Sequence, residues 1–420
     1  MNIQSPKLPA PLMSERRVSL ICALIVVLGP SSLVLFTPAM PELATVFGVS
    51  ESAVKMTLIS YFVGFAMTQL VCGPVSDGLG RKPVILFFVI IYALGSCASL
   101  FAPTMEWLIA ARFLQGIGAS AGIAISRAIV RDMFTGESSA RIMNTIGMIM
   151  GVAPALAPTF GGIILELFGW QAVFFVMLVL GIIVAVSVKI FLVETVTRDL
   201  SRIRPKSLFR SYNSLLRHAY FMSSSMVLAG SMGAFFTMTT ILPFVLMNRV
   251  GLSPTEFGIG MLAHSLSFFT GTIVVRYALK KFSAASLVPV GLVSVSIGCI
   301  MLAVGLLFAE PTYISVMAPV GFYVFGAAFI MPAMSTASLA GFPHMAGAAS
   351  ALAGFLQIGG GLAGGVMAVL VGDPVVALAT VVPGMGLVSA VSWLIWRRLP
   401  EPVFAKVLPM DETPAPPPGA

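Results

Sequence analysis

Residues 61–84 read YFVGFAMTQLVCGPVSDGLGRKPV. A mostly apolar run meets Gly73-Pro74, then an acid, Asp77, then Gly80-Arg81-Lys82-Pro83, after which a second apolar run begins. Two apolar runs separated by a short, glycine-rich, charged turn read as two membrane-spanning helices joined by a tight loop. Arg and Lys in such a loop mark the cytoplasmic side, so the stretch also predicts an orientation.

The rest of the chain repeats the pattern. Of its 420 residues 58% are hydrophobic and only 10% charged, with a mean hydropathy of +1.01. A soluble chain carries about 25% charged residues. The expected class is an all-α polytopic membrane protein, since a β-barrel would show alternating ten-residue segments. The net charge of +8 raises the question of nucleic acid. Of the 24 Lys and Arg, however, all but Lys55, Arg112 and Arg249 fall in loops, tails or helix ends on the expected cytoplasmic side. That bias explains the basic balance with anionic lipid heads as the contact and no nucleic-acid partner. Cys22, Cys72, Cys97 and Cys299 sit in apolar runs without CxxC spacing, which reads as buried thiols rather than disulfides or metal ligands. The first apolar run is too long for a signal peptide, and more spans follow.

Spans are expected near 18–38, 54–74, 84–102, 106–129, 141–164 and 171–192. Six more are expected near 219–244, 254–276, 284–308, 312–336, 346–371 and 374–396. Residues 1–17 form a polar cytoplasmic N-tail, and 397–420 a tail whose Pro-rich end, DETPAPPPGA, reads as disordered. The organisation is then an N-terminal bundle over 18–192, a linker over 193–218 and a C-terminal bundle over 219–396. The linker is rich in Arg and Ser, and part of it reads as an amphipathic surface helix. The halves echo each other weakly. GPVSDGLGRK after the second span is answered by GTIVVRYALKKF after the eighth. GMIMGVAPALAPTFGG in the fifth is answered by ALAGFLQIGGGLAGG in the eleventh. Small residues at this density permit close helix approach, and duplicated six-helix halves are a transporter architecture.

The loop Gly73–Pro83 resembles the signature loop of the major facilitator superfamily. Arg112-Phe113-Leu114-Gln115-Gly116 resembles the RxxQG element of its fourth helix. Pro154 through Gly162 resembles the fifth helix of its antiporters, with Ala157 where a glycine often stands. Ser126–Asp132, Gly251–Gly258 and the stretch from Phe342-Pro343-His344 to Gln357 are similar to segments of the bicyclomycin/chloramphenicol-resistance (Bcr/CflA-like) subfamily. The resemblance covers residues 18–398. It implies twelve helices in two six-helix bundles around a central cavity, acting as a drug:proton antiporter without cofactor or metal. It also implies an inner-membrane location with both termini cytoplasmic, and a monomer is sufficient for such a design.

The resemblance gives Gly73, Asp77, Gly80, Arg81 and Lys82 a conformational role, tying the halves together on the inside. The plain alternative for Asp77 is a solvated turn acid or a helix cap. Arg112 lies inside its span, where a charge costs about 2.5–3.5 kcal/mol on insertion scales, so it should face a cavity or a partner. The family links the matching arginine to proton coupling; the alternative is snorkelling to the outer interface. Gly151, Pro154, Pro158, Gly161 and Gly162 match the family's leak barrier, although the same residues serve ordinary close packing.

Coupling is the open point. The subfamily often carries an acid in the first span, within the stretch matching Gly29-Pro30-Ser31-Ser32-Leu33-Val34-Leu35-Phe36-Thr37-Pro38-Ala39, and here Val34 stands in its place. None of the sixteen acids falls near the middle of an expected span. His264 does, and imidazole titrates near neutral pH. Either His264 carries protons, with Arg112, or it only forms hydrogen bonds; failing it, an outer-end acid carries them, or transport is uncoupled. Candidates for the substrate cavity are Phe36, Tyr61, Gln69, Gln115, Asn144, Phe235, Phe236, His264 and Gln357, offering apolar contact and amide hydrogen bonds. The expected solute is a small amphipathic molecule, neutral or weakly anionic. A membrane enzyme would need a polar constellation, and the three histidines lie far apart in sequence. No P-loop for a primary pump occurs.

Overall fold

The computed structural model describes residues 12–203, 205–342 and 345–400. The expectations for 1–11, Pro343, His344 and 401–420 lie outside the described residues. Among the described residues twelve helices are long and apolar enough to cross a membrane. The chain runs α1 (Glu15–Leu35), α2 (Met40–Val46), α3 (Glu51–Leu79), α4 (Arg81–Leu100), α5 (Met105–Met133), α6 (Gly136–Phe168) and α7 (Trp170–Phe191). After the linker helix α8 (Pro205–Arg217) come α9 (Ala219–Pro243), α10 (Pro254–Ala278), α11 (Ala284–Phe308), α12 (Tyr313–Ala340), α13 (Ala346–Val371) and α14 (Pro374–Trp396). No strand occurs among the described residues.

Local chemistry starts and stops these helices. Ser50 accepts from the Ala53 amide at the head of α3, and Thr104 from that of Trp107 at the head of α5. Ser253 and Glu256 form a capping box at the head of α10. Gly80, with φ of 102°, is the single residue between α3 and α4, a conformation only glycine adopts without strain.

The sequence places the end of the second span at Gly73-Pro74. The structure corrects this: α3 continues through both residues to Leu79. Pro74 removes only its own donor, leaving the carbonyl four residues earlier, on Leu70, without its helical partner. The Tyr212 hydroxyl of α8 donates to that oxygen at 2.6 Å. The described first helix starts at Glu15, inside the expected N-tail, with Ser14 as its cap.

Two large cores organise the packing. One draws on residues 13–192 plus Phe244, the other on 227–382. They correspond to two six-helix bundles. Within each, glycine lets backbones touch; a Cβ on Gly95 of α4 would lie 2.6 Å from the Gln115 amide nitrogen of α5. Between the bundles α3 packs on α13 and α6 on α10. Polar bonds between the bundles gather at the end away from the linker, here called the far end. Lys55 Nζ donates to Gly372 O at 3.4 Å, Asn248 Nδ2 to Glu51 at 2.7 Å, and Thr255 Oγ1 to Glu166 at 2.6 Å. Just inside them Thr159 Oγ1 donates to Gly258 O at 2.9 Å.

Candidate functional site

Arg112 lies on the inward face of α5, on its second full turn, and is fully enclosed. Its guanidinium lies over the Phe36 ring, just past the end of α1, at 4.6 Å from the centroid, and over the Tyr61 ring of α3, at 4.5 Å. It donates to Gln115 Oε1, and at 3.5 Å to Ser32 O. Its Nε has no partner. Gln115 passes the chain on, donating from Nε2 to Ser96 Oγ at 2.7 Å and to Met177 Sδ at 3.4 Å. Tyr92 and Ser32 share a hydroxyl hydrogen bond, and Tyr61 OH donates to Gly29 O at 2.9 Å. The charge is therefore held by two aromatic faces and neutral oxygens, with no carboxylate among the partners. Val34, where the family acid would stand, is buried in the apolar core. Cation–π contacts gain strength when desolvated, to about 2 kcal/mol each. That gain makes the burial tolerable without an ion pair.

From Arg112 a row of rings crosses to the other bundle. Tyr61 and Phe62 centroids are 6.4 Å apart, Phe62 and Phe236 5.8 Å, Phe236 and Phe235 5.8 Å, and Phe235 and His264 4.6 Å. Phe62–Phe236 is the step between bundles. His264 on α10 is buried, and its Nε2 has no partner. The two candidate coupling residues are thus the ends of one aromatic row.

The other cavity candidates divide. Phe36 and Gln115 belong to the Arg112 cluster inside the first bundle, and Phe36 also packs on Phe174 at 5.4 Å. Phe235 and Phe236 lie half-buried at the interface. Gln69 is half-buried beside α13, where a Cβ on Gly354 would come within 2.9 Å of its Cδ, and its Oε1 is unpartnered. Gln357 is half-buried on α13, and Asn144 is exposed on the linker half of α6. The structure does not gather these amides around the aromatic row.

The signature loop is a charge cluster within the first bundle. Arg81 is almost fully buried and pairs with Asp77 at 2.5 Å and Asp132 at 2.9 Å, and donates to Ser76 Oγ at 2.6 Å. Asp77 stands in the last turn of α3 and caps no helix. The α4 N-terminus is capped instead by Glu194, which accepts from the amides of Arg81 at 2.8 Å and Lys82 at 3.0 Å. Lys82 is half-buried, and Gly73 has open space around it. On α6, Pro158, Gly161 and Gly162 form the contact with neighbouring backbones. Gly161 meets Leu35 O, Gly162 meets Pro254 O, and a Cβ on Gly258 would lie 2.5 Å from Pro158 O. Pro154 is half-buried on the same helix, which also carries Gly151.

Sequence reasoning missed Lys55, Glu194, Tyr212 and the Ser32–Tyr92–Ser96 shell. Ser32 lies in the quoted first-span stretch, and Lys55 was one of three basic residues outside the cytoplasmic set. Either signal was enough to raise the residue. Tyr212 and Glu194 carry none, because their partners are backbone groups 142 and 113 residues away.

The description of the Major Facilitator Superfamily matches residues 20–365. An uncharacterised transporter of that type, YdgK of Bacillus subtilis, is 30% identical over 90% of this chain and 93% of its own. Multidrug resistance protein D of Escherichia coli is 29% identical over 90% and 96%. A chloramphenicol resistance protein of Pseudomonas aeruginosa is 29% identical over 85% and 87%. Among solved structures, a D-xylose-proton symporter superposes with a TM-score of 0.70 at 16% identity, covering 94% of this chain and 99% of that one. That last likeness concerns the fold alone.

Proposed function

Because the chain belongs to the Major Facilitator Superfamily, we propose that it is a secondary transporter exporting small amphipathic drugs or related solutes by alternating access, in exchange for protons. Relatives named for multidrug and chloramphenicol resistance support the drug class. The reading assigns it no catalytic chemistry and no metal or cofactor. It places a monomer in a bacterial inner membrane with both termini cytoplasmic, as the Lys and Arg distribution favours. The bundles over 18–192 and 219–396 are then the two moving bodies, joined by 193–218.

The observation that carries the reading is the aromatic row from Arg112 to His264. An amphipathic solute lodged between the bundles meets the half-buried Phe235 and Phe236 as an apolar wall. With the ring proton on Nδ1, the unpartnered Nε2 of a neutral His264 offers a lone pair that accepts either a hydrogen bond from the solute or a proton. The two compete for one lone pair, and competition of this kind is what an exchange cycle requires. Arg112 remains charged throughout and sets a fixed positive field in the first bundle. Closure at the far end, where Asn248 bonds Glu51 and Thr255 bonds Glu166 across the interface, is then the closed gate of a state open toward the linker end.

The test is uptake of chloramphenicol, as a neutral amphiphile, by proteoliposomes with and without an imposed pH gradient, for wild type and His264→Asn. Gradient-driven accumulation lost in the variant is expected. Downhill flux indifferent to the gradient in both proteins would overturn the coupling and leave an uncoupled facilitator or metabolite exporter. Val34 in the place of an acid favours that second reading.

A further inference from the structure

The linker helix α8 has two faces of different chemistry. The inner face holds the protein. Leu215 is fully buried in a small core with Phe221, Phe342, Ala349 and Leu352. Tyr212 donates to the Leu70 carbonyl that Pro74 leaves unpaired within α3. Burial pushes the Tyr212 hydroxyl up to about 12, so it remains a donor across the physiological range. One short helix thus rests on α9 and α13 of the second bundle while bonded to α3 of the first.

The outer face is basic and open. Pro205, Lys206, Phe209, Arg210 and Asn213 follow helical spacing and form one exposed face of the helix. Phe209 is 75% exposed, and Lys206 and Arg210 are exposed beside it. The helix carries Lys206, Arg210 and Arg217 and no acid. The acids preceding it are engaged: Glu194 caps α4, and Asp199 Oδ1 accepts from the Ser201 amide at 3.0 Å and its hydroxyl at 2.6 Å. The helix also joins the end of one span, α7, to the start of the next, α9, which sets it at the level of the membrane surface. A basic helix face with a protruding phenyl ring at that depth fits a phosphate above and an acyl chain below.

We propose that the outer face of α8 binds the headgroup of an anionic phospholipid, with Lys206 and Arg210 on the phosphate and Phe209 among the acyl chains, and that Tyr212 transmits occupancy to α3. A lipid that holds α8 in place also holds the donor on Leu70 O, at the proline of the helix that faces the second bundle. Anionic lipid therefore modulates the rate at which the bundles rearrange.

The experiment uses the full chain purified in detergent, offered equimolar phosphatidylglycerol and phosphatidylcholine, with bound lipid counted by native mass spectrometry. Phosphatidylglycerol is expected to be retained in preference, and Lys206→Gln/Arg210→Gln to reduce that preference by roughly tenfold. Inorganic phosphate is expected to leave the preference intact; displacement by phosphate would overturn the lipid assignment in favour of a free-anion site. Equal retention of the two lipids, or a preference that survives in the double variant, would also overturn it. Both substituted side chains are exposed, so the fold is not at issue. In vesicles of graded phosphatidylglycerol content, Tyr212→Phe is expected to keep the lipid bound but lose the dependence of flux on lipid composition; dependence that persists would overturn the transmission step. Lipid retention is read without transport, so its failure is distinct from failure of the efflux reading.

Discussion

Lys55 of α3 reaches across the bundle interface and donates to the carbonyl of Gly372, at 3.4 Å, with its side chain wholly enclosed. The acceptor is a backbone oxygen in the turn between α13 and α14, where Gly372 has φ of 80°. The ammonium also lies 5.1 Å from the Phe244 ring centroid. This is a long bond, and the remaining support for the buried cation is electrostatic attraction from the Glu51 and Asp373 carboxylates, which have partners of their own in Asn248 and Arg249. Opening the far end would return the charge to water, so Lys55 makes the closed state easier to leave than an apolar residue would. A Met of similar volume removes the desolvation cost, a change worth about 1–4 kcal/mol at buried ionic sites. Lys55→Met is expected to hold the far end closed. In a protein carrying a single cysteine at Asn248, labelling by a membrane-impermeant maleimide should fall roughly tenfold against the Lys55 parent, and turnover should slow with it. Faster labelling in Lys55→Met would show that the lysine is a lock.

Arg112 separates function from stability. Its charge has neutral partners only, and Nε has none. Arg112→Gln removes a buried charge that no carboxylate balances, so its melting temperature in detergent should equal or exceed that of wild type while efflux is abolished. Arg112→Lys keeps the charge but loses the planar contact with Phe36 and Tyr61, and should retain a small part of the flux. A large drop in melting temperature for Arg112→Gln would mean that the cluster serves the fold first.

Glu194 is the test of the linker-end anchor. Its carboxylate accepts from the amides of Arg81, Lys82, Thr195 and Val196, at 2.8 to 3.1 Å. Charge-assisted caps of this kind are worth about 1.5–3 kcal/mol. Glu194→Ala should lower the melting temperature by several degrees and loosen the segment after α7, read as faster amide exchange at Arg81 and Lys82. Glu194→Gln, which keeps one acceptor oxygen, should fall between. An unchanged exchange rate at Arg81 in Glu194→Ala would remove the cap from the account.

The twelve spans were readable because membrane helices are long, apolar and punctuated by charge, and each property survives in one dimension. Arg112 and His264 were readable for the same reason: a titratable side chain inside an apolar run is conspicuous. Their relation was not. Nothing in the spacing of residues 112 and 264 says that Tyr61, Phe62, Phe236 and Phe235 stand between them in a row. The end of α3 was misread because Gly73-Pro74 is a strong local stop signal. A lone proline costs a helix one hydrogen bond, and a donor 138 positions further along the chain replaced it.

The amino-acid sequence alone determined that this is a twelve-span protein with a charged loop after the second span, glycine-dense fifth and eleventh spans and no acid in mid-membrane. Those facts are compositional and periodic, and the hydrocarbon's demand for apolar, internally bonded helices enforces them. The tertiary structure decided which charges are paired, which end of the bundle pair is closed and what faces what. Arg81 found Asp77 and Asp132, Arg112 found rings instead of an acid, and Lys55 found a carbonyl on the other bundle. Such contacts depend on helix rotation and crossing geometry, which side-chain packing sets only once distant segments have met.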